Sequence, residues 1–144
     1  MDDARRFEGL EKCHIGKLEV PVAKGRTRVL GLARLDQDEA GPGLMIPRCN
    51  SVHTYGMRFP VHLVFLGPDR ELMRVVLGFQ PGGVMTTSGA RIVVEVVPRG
   101  PDGLDGIGMV LQGASENLNP PEGGEVEFLI PDESQDISSW YRAA

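Results

Sequence analysis

Apolar residues recur at every second position through much of this chain, the period of a strand with one buried face. The alternation is clearest between Leu44 and Val97. Gly43 to Ile46 is a short apolar run that stops at Pro47, and Ser51 to Met57 alternates. Val61-His62-Leu63-Val64-Phe65-Leu66 is β-branched and aromatic, then meets Gly67-Pro68-Asp69-Arg70 before Glu71 to Leu77 resumes the apolar pattern. Proline presets φ for the second position of a tight turn, so these two runs are expected to pair as an antiparallel hairpin. Arg91 to Val97 is the strongest strand, ended by Pro98 and Gly100. Its Ile92, Val94 and Val96 share one face, and Arg91, Val93, Glu95 and Val97 share the other.

The flanks are less regular. His14 to Ala23 alternates in part through Ile15, Leu18, Val20 and Val22, which predicts one early strand ending near Pro21 or Val22. Lys24 to Arg34 suits either a strand or a turn and a half of helix. Leu104, Ile107, Leu111, Ala114 and Leu118 recur at spacings of three and four, which predicts a helix over about 102–118. Gly103, Gly106, Gly108 and Gly113 each weaken it by about 1 kcal/mol relative to Ala. Asn119-Pro120-Pro121 closes it, and Gly124 to Ile130 is expected as a last strand.

Composition sharpens the fold class. There are 19 glycines and 11 prolines among 144 residues, well above the ordinary share of about 12% for the two together. Such punctuation cuts a chain into short elements and favours a compact antiparallel β-sandwich or barrel over a helical bundle. The length fits one domain, 1–144, with residues 1–12 and 132–144 expected as flexible tails. A net charge of −5 works against nucleic acid as a partner. The basic groups Arg5–Arg6 and Lys24, Arg26, Arg28 are short and lack interleaved aromatics. The polar N-terminus is no signal peptide, and no run reaches the roughly 18 apolar residues of a membrane span. The reading is a soluble cytoplasmic protein without a membrane partner. Cys13 and Cys49 are too few for a disulfide framework and are expected as reduced thiols.

One ordered series of motifs carries a family resemblance. It comprises Gly31-Leu32, Gly43-Leu44-Met45, Val52-His53-Thr54-Tyr55-Gly56-Met57-Arg58-Phe59-Pro60, Val64-Phe65-Leu66, Pro68-Asp69-Arg70 and Ala90-Arg91-Ile92-Val93-Val94-Glu95. From Gly31 to Gly100 the chain resembles the bacterial family called domain of unknown function number 192, with a looser likeness extending to about residue 130. The resemblance implies a compact β-fold with one or two short helices and tips 24–34 towards a helix. It implies no activity, because the family has none assigned. Where the family has Pro-x-Asp, this chain has Pro60-Val61-His62, so any role of that Asp is not carried over.

The candidate chemistry centres on Cys49 to Arg58. On an extended strand His53, Tyr55 and Met57 lie on one face and Thr54 and Arg58 on the other. Gly56 marks a bulge or a close backbone approach. His53, Tyr55, Arg58 and Glu95 are therefore the candidate ligand-binding residues, with Arg58 suited to a carboxylate or phosphate. The plainer alternative is a half-buried strand with Arg58 paired to Glu95 or Asp69, and Glu95 facing solvent or paired with Arg91 or Arg58. Metal chemistry has two candidate sets: Cys13, His14, Cys49 and His53 for tetrahedral zinc, or His53 and His62 with Asp69 or Glu95. Adjacent Cys13 and His14 point to opposite strand faces, which works against the first set, and no metal or cofactor is expected. Cys49 beside His53 could form a thiolate–imidazole pair, but nothing marks an oxyanion hole. The glycine-rich stretch 100–108 is no nucleotide loop; Asp102 and Asp105 suit a helix start.

Three functions are thus in view. The first is a non-enzymatic binding or accessory domain holding a small polar ligand, a glycan or a protein partner near His53, Tyr55 and Arg58. The second is a small metal-dependent or hydrolytic enzyme using His53, His62 and a carboxylate. The third is an interaction module docking through the glycine-rich helix or Trp140-Tyr141.

Overall fold

The computed structural model describes residues 5–117, and within them the chain is mainly antiparallel β-sheet with two short helices. A hairpin of β1 (Lys12–Ile15) and β2 (Leu18–Pro21) comes first, followed by helix α1 (Arg26–Leu30). Strands β3 (Gly43–Pro47), β4 (Ser51–His53), β5 (Val61–Leu66), β6 (Leu72–Phe79), β7 (Val84–Thr86) and β8 (Ile92–Val96) precede helix α2 (Asp105–Asn117). The central sheet runs β3-β8-β5-β6, and β4 pairs separately with β7. Among the described residues the sheets do not close into a barrel, so the expected choice between sandwich and barrel falls to a sandwich-like arrangement.

The sheet is buried on both faces, and period two sorts its side chains between them. Leu44, Ile46, Leu63, Phe65, Val93 and Val97 pack into one core, under the segment 32–40 and β4. Met45, Val64, Val75, Val94 and Val96 pack into the other, against Ile15, Leu18 and Val20 of the β1–β2 hairpin and Ile107 and Val110 of α2. Each fully buried Val or Leu contributes about 1.5–3 kcal/mol relative to exposure. Strand β8 is the spine of the sheet, pairing Leu44 with Glu95 on one side and Leu63 with Glu95 on the other.

The β5–β6 hairpin forms as expected, with Arg70 at φ 61 in its turn. The Glu71 side chain accepts the Asp69 amide at 2.8 Å, and the Gly67 amide donates to the Glu71 carbonyl at 2.9 Å. The early strand expected from His14 to Ala23 is instead a hairpin, because Gly16 takes φ 61 and reverses the chain. Any side chain at Gly16 would meet the Val110 carbonyl of α2, so this tight reversal also seats the helix. The helix expected over about 24–34 spans only Arg26–Leu30, ended by Gly31 at φ 52. The Asp102 side chain accepts the Leu104 amide at 2.9 Å just ahead of α2, as its place at a helix start suggested.

In the segment expected to trail at the N-terminus, Arg6 donates to the carbonyls of Gly31 (3.0 Å) and Ala33 (2.7 Å). Phe7 packs on the first core. The expected last strand at 124–130 and the 132–144 tail lie outside the described residues. No helix among the described residues is long and apolar enough to cross a membrane.

Candidate functional site

Glu95 sits on the central strand with Val93 and Val97, and the pleat turns all three towards the first core. It is only 3% exposed. Among the described residues, its Oε2 has no hydrogen-bond partner. Neither the exposed position nor the pairing with Arg91 or Arg58 expected for this residue is found. Burial pushes its carboxyl up from 4.5 to about 7, because the charged form has lost its water without gaining a cation.

Glu95 helps line a cavity of about 90 Å³, several times what one water requires. Its wall comes from the end of α1 and the turn that follows. The Gly31 backbone lies over the carboxyl: a Cβ at that position would sit in ordinary contact with the two Glu95 carboxyl oxygens, at 3.5 and 3.6 Å. The positive φ that brings the backbone this close is one that glycine adopts without strain. The two carbonyls held by Arg6 belong to this same wall.

The cavity is also lined by Cys49, His53, Tyr55 and Met57. Strand β4 ends at His53, so the strand expected to continue to Met57 is shorter than its alternation suggested. The reason is Thr54, which is fully buried. Its hydroxyl donates to the Gln80 carbonyl at 2.7 Å and accepts the Gly83 amide at 2.9 Å, while its carbonyl accepts the amides of Met57 and Gly82. Gly56, at φ 78, completes the turn. The facing survives for two of the three residues expected together: the His53 and Tyr55 rings stack with centroids 5.3 Å apart and planes 27° apart, whereas Met57 turns into the first core. Both residues are exposed, and Tyr55 retains 56% of its surface. Cys49 donates its thiol to the Ser51 carbonyl at 3.1 Å. Arg28, at the rim, donates to the Pro47 carbonyl and, at 3.4 Å, to that of Arg48.

The other candidates lie elsewhere. Arg58 is not part of the cavity; the turn at Gly56 carries it to Asp36, which it meets at 3.0 Å on the surface. Neither Glu95 nor Asp69 is its partner. His62 pairs with Val96, whereas Glu95 pairs with the next residue, Leu63. The imidazole and the carboxyl therefore face opposite sides of the sheet. His62 is fully buried. The Gly78 amide donates to its Nδ1 at 3.0 Å, so Nε2 carries the proton and donates to the Gly103 carbonyl at 2.7 Å. Burial lowers its pKa against the opposing pull of that carbonyl and of Asp102. It ties the loop before α2 to β6, and the enzyme reading that needed His53 and His62 together has no such pair.

The tetrahedral set is dispersed as well. Cys13 lies by Met45 in the second core, with Sγ 2.9 Å from Sδ, and burial raises its thiol pKa. His14 meets Glu19 at 3.3 Å across the β1–β2 hairpin. Among the described residues, the group of potential metal ligands within mutual reach is Asp36, Asp38 and Glu39. Asp36 there is already engaged by Arg58.

Comparison with known proteins adds little. No family model matches the chain. No curated protein matches it. A solved structure of a protein of unknown function from Novosphingobium aromaticivorans is similar at 17% identity, covering 67% of this chain and 86% of that one with a TM-score of 0.44. At that level neither fold nor function is transferred between them.

Sequence reasoning named His53, Tyr55 and Glu95 but missed Gly31, Arg6 and Thr54. A signal for the burial of Glu95 was present: its strand is apolar on both faces, the pattern of a strand covered on both sides.

Proposed function

We propose that this chain is a small non-enzymatic binding or accessory domain whose site is the Glu95 cavity, with the His53–Tyr55 pair at its mouth. The observation that carries this reading is a buried carboxyl, unpartnered among the described residues, on a residue that lines a cavity. Buried polar groups are nearly always hydrogen-bonded, and a concavity with a few convergent polar groups is the usual form of a ligand site. The ligand is a small polar molecule. Arg58 is left outside it.

The reading also places the chain with the bacterial family called domain of unknown function number 192. Support comes from where the motif residues fall. Gly31, four residues of the segment 52–57 (Val52, His53, Tyr55 and Met57) and Glu95 lie far apart in sequence, yet all line one cavity. The proposal further takes 1–144 as a single domain working in the reducing cytoplasm.

A second reading follows from the same carboxyl. A group titrating near neutrality is placed to act as a general base, which would make the chain a proton-transfer catalyst using Glu95 without His62.

The test is an amide chemical-shift titration of the full chain with acetate, acetamide, imidazole and methylammonium as probes. At least one probe is expected to shift the amides of Gly31, Val52 and Glu95. That response should be lost in His53→Ala and Glu95→Gln while circular dichroism stays unchanged. Silence of those amides with all four probes would refute the binding reading.

A further inference from the structure

We infer that the Glu95 cavity takes a small organic cation, an alkylammonium-type group whose nitrogen sits on the carboxylate with its carbon chain towards the aromatic mouth. This deepens the binding reading above and rests on it. Three observations converge.

The first is charge. The titratable or charged side chains facing the cavity are Arg28, Cys49, His53, Tyr55 and Glu95. Arg28 keeps its positive charge, but its N–H groups point to the Pro47 and Arg48 carbonyls at the rim rather than to Glu95, and the Cys49 thiol donates to Ser51. Glu95 lies at the floor, 97% buried by its 3% exposure, with Oε2 unpartnered. Its carboxyl is perturbed by burial alone, with no cation contributing. An ionised carboxylate only accepts hydrogen bonds, and a charged donor is the partner that best offsets its lost hydration.

The second is the wall. Leu32, Ile46, Val52 and Met57 present hydrocarbon around the floor. A group with a short alkyl portion fits this lining; a fully hydrated ion does not. A bare metal ion also lacks donors, since no triad of His, Cys, Asp or Glu among the described residues includes Glu95.

The third is the mouth. The stacked rings of His53 and Tyr55 offer π-faces beside the entrance, and Tyr55 and Val29 are exposed there at 56% and 72%. Aromatic faces favour the entry of a cation over an anion and pack against the carbon chain once the nitrogen has reached Glu95. An exposed apolar collar around a carboxylate floor matches a molecule with a charged head and a short carbon body.

The experiment titrates the full chain at about pH 6.5, where the free Glu95 carboxyl is still mostly protonated, and at constant ionic strength, with three probes of one shape: n-propylammonium, 1-propanol and propanoate. Amide shifts at Gly31, Val52 and Glu95 report the site. The side-chain carboxyl carbon of Glu95 reports its ionisation, and sodium chloride serves as the salt control. The ammonium is expected to bind about 10-fold or more tighter than the alcohol. It should drive the Glu95 carboxyl to the ionised position and lose that advantage in Glu95→Gln. The carboxyl signal is read in the wild-type chain, so the result stands even if the variant folds poorly. Equal or tighter binding of 1-propanol or propanoate at those amides overturns the cation and leaves the cavity as a site. No response beyond that of sodium chloride to any of the three overturns the cation and the binding reading together.

Discussion

Replacing Glu95 with Gln should change how stability depends on pH more than any other single substitution near the cavity. Burial lifts the Glu95 carboxyl from 4.5 in the unfolded chain to about 7 in the folded one. Between those values the folded protein keeps a proton that the unfolded chain has released. Stability therefore falls as pH rises: the contribution is complete below about 4.5 and gone once pH passes about 7. At about 1.4 kcal/mol per unit of pKa, ionising this group costs the folded state about 3 kcal/mol. Gln keeps the shape of the protonated acid and never ionises. A buried amide carries its own desolvation cost of about 1–3 kcal/mol, but that cost is the same at every pH. The unfolding free energy of Glu95→Gln minus that of wild type should thus grow by about 2 kcal/mol between about pH 5 and pH 8. Urea denaturation followed by circular dichroism measures it, and titrations shared by both proteins, His62 included, cancel in the difference. A difference that stays flat to within about 0.5 kcal/mol across that range would refute the burial argument and weaken the case for a site there.

Three further outcomes follow from residues around the site. Thr54→Val keeps the shape but removes the donor to Gln80 and the acceptor for Gly83; it should cost about 2 kcal/mol in urea denaturation and blur the amide shifts of both turns. His62→Ala should cost about 3 kcal/mol or more, from a cavity and two broken hydrogen bonds. In the wild type, long-range nitrogen NMR should show Nδ1 unprotonated, and the His62 contribution should be lost as pH falls below about 6.5. Arg58→Ala should change stability by no more than about 1 kcal/mol, as exposed ion pairs do, and should leave probe binding at Glu95 unaltered.

Much of the architecture was legible because period two reports burial directly. The β5–β6 hairpin, the β8 strand and the α2 helix all appear where the apolar spacing placed them. The elements misjudged share one cause: a backbone reversal whose driving contact is remote. Gly16 lies inside the stretch read as one strand, yet it takes φ 61 and reverses the chain at a place where a side chain would meet the Val110 carbonyl of α2. Thr54 stops β4 through hydrogen bonds to residues 80 and 83, which no local pattern announces. At the site, the alternation correctly put His53 and Tyr55 on one face. It carried Arg58 too far, since Gly56 bends the chain towards Asp36. It placed Glu95 on the right face but not at the right depth. The apolar run on both faces of its strand signalled burial, but not what does the covering: residues 31–33, more than sixty positions away in sequence, lie over it.

The clasp of Arg6 on the Gly31 and Ala33 carbonyls ties the cavity's shape to a residue that never enters it. Trimming the chain to begin after this arginine would relax the ceiling over the carboxyl without disturbing the sheet. A shortened protein that melts normally and ignores every probe would then be mute because its seat had sagged, and ligand screens should retain the leading segment for that reason.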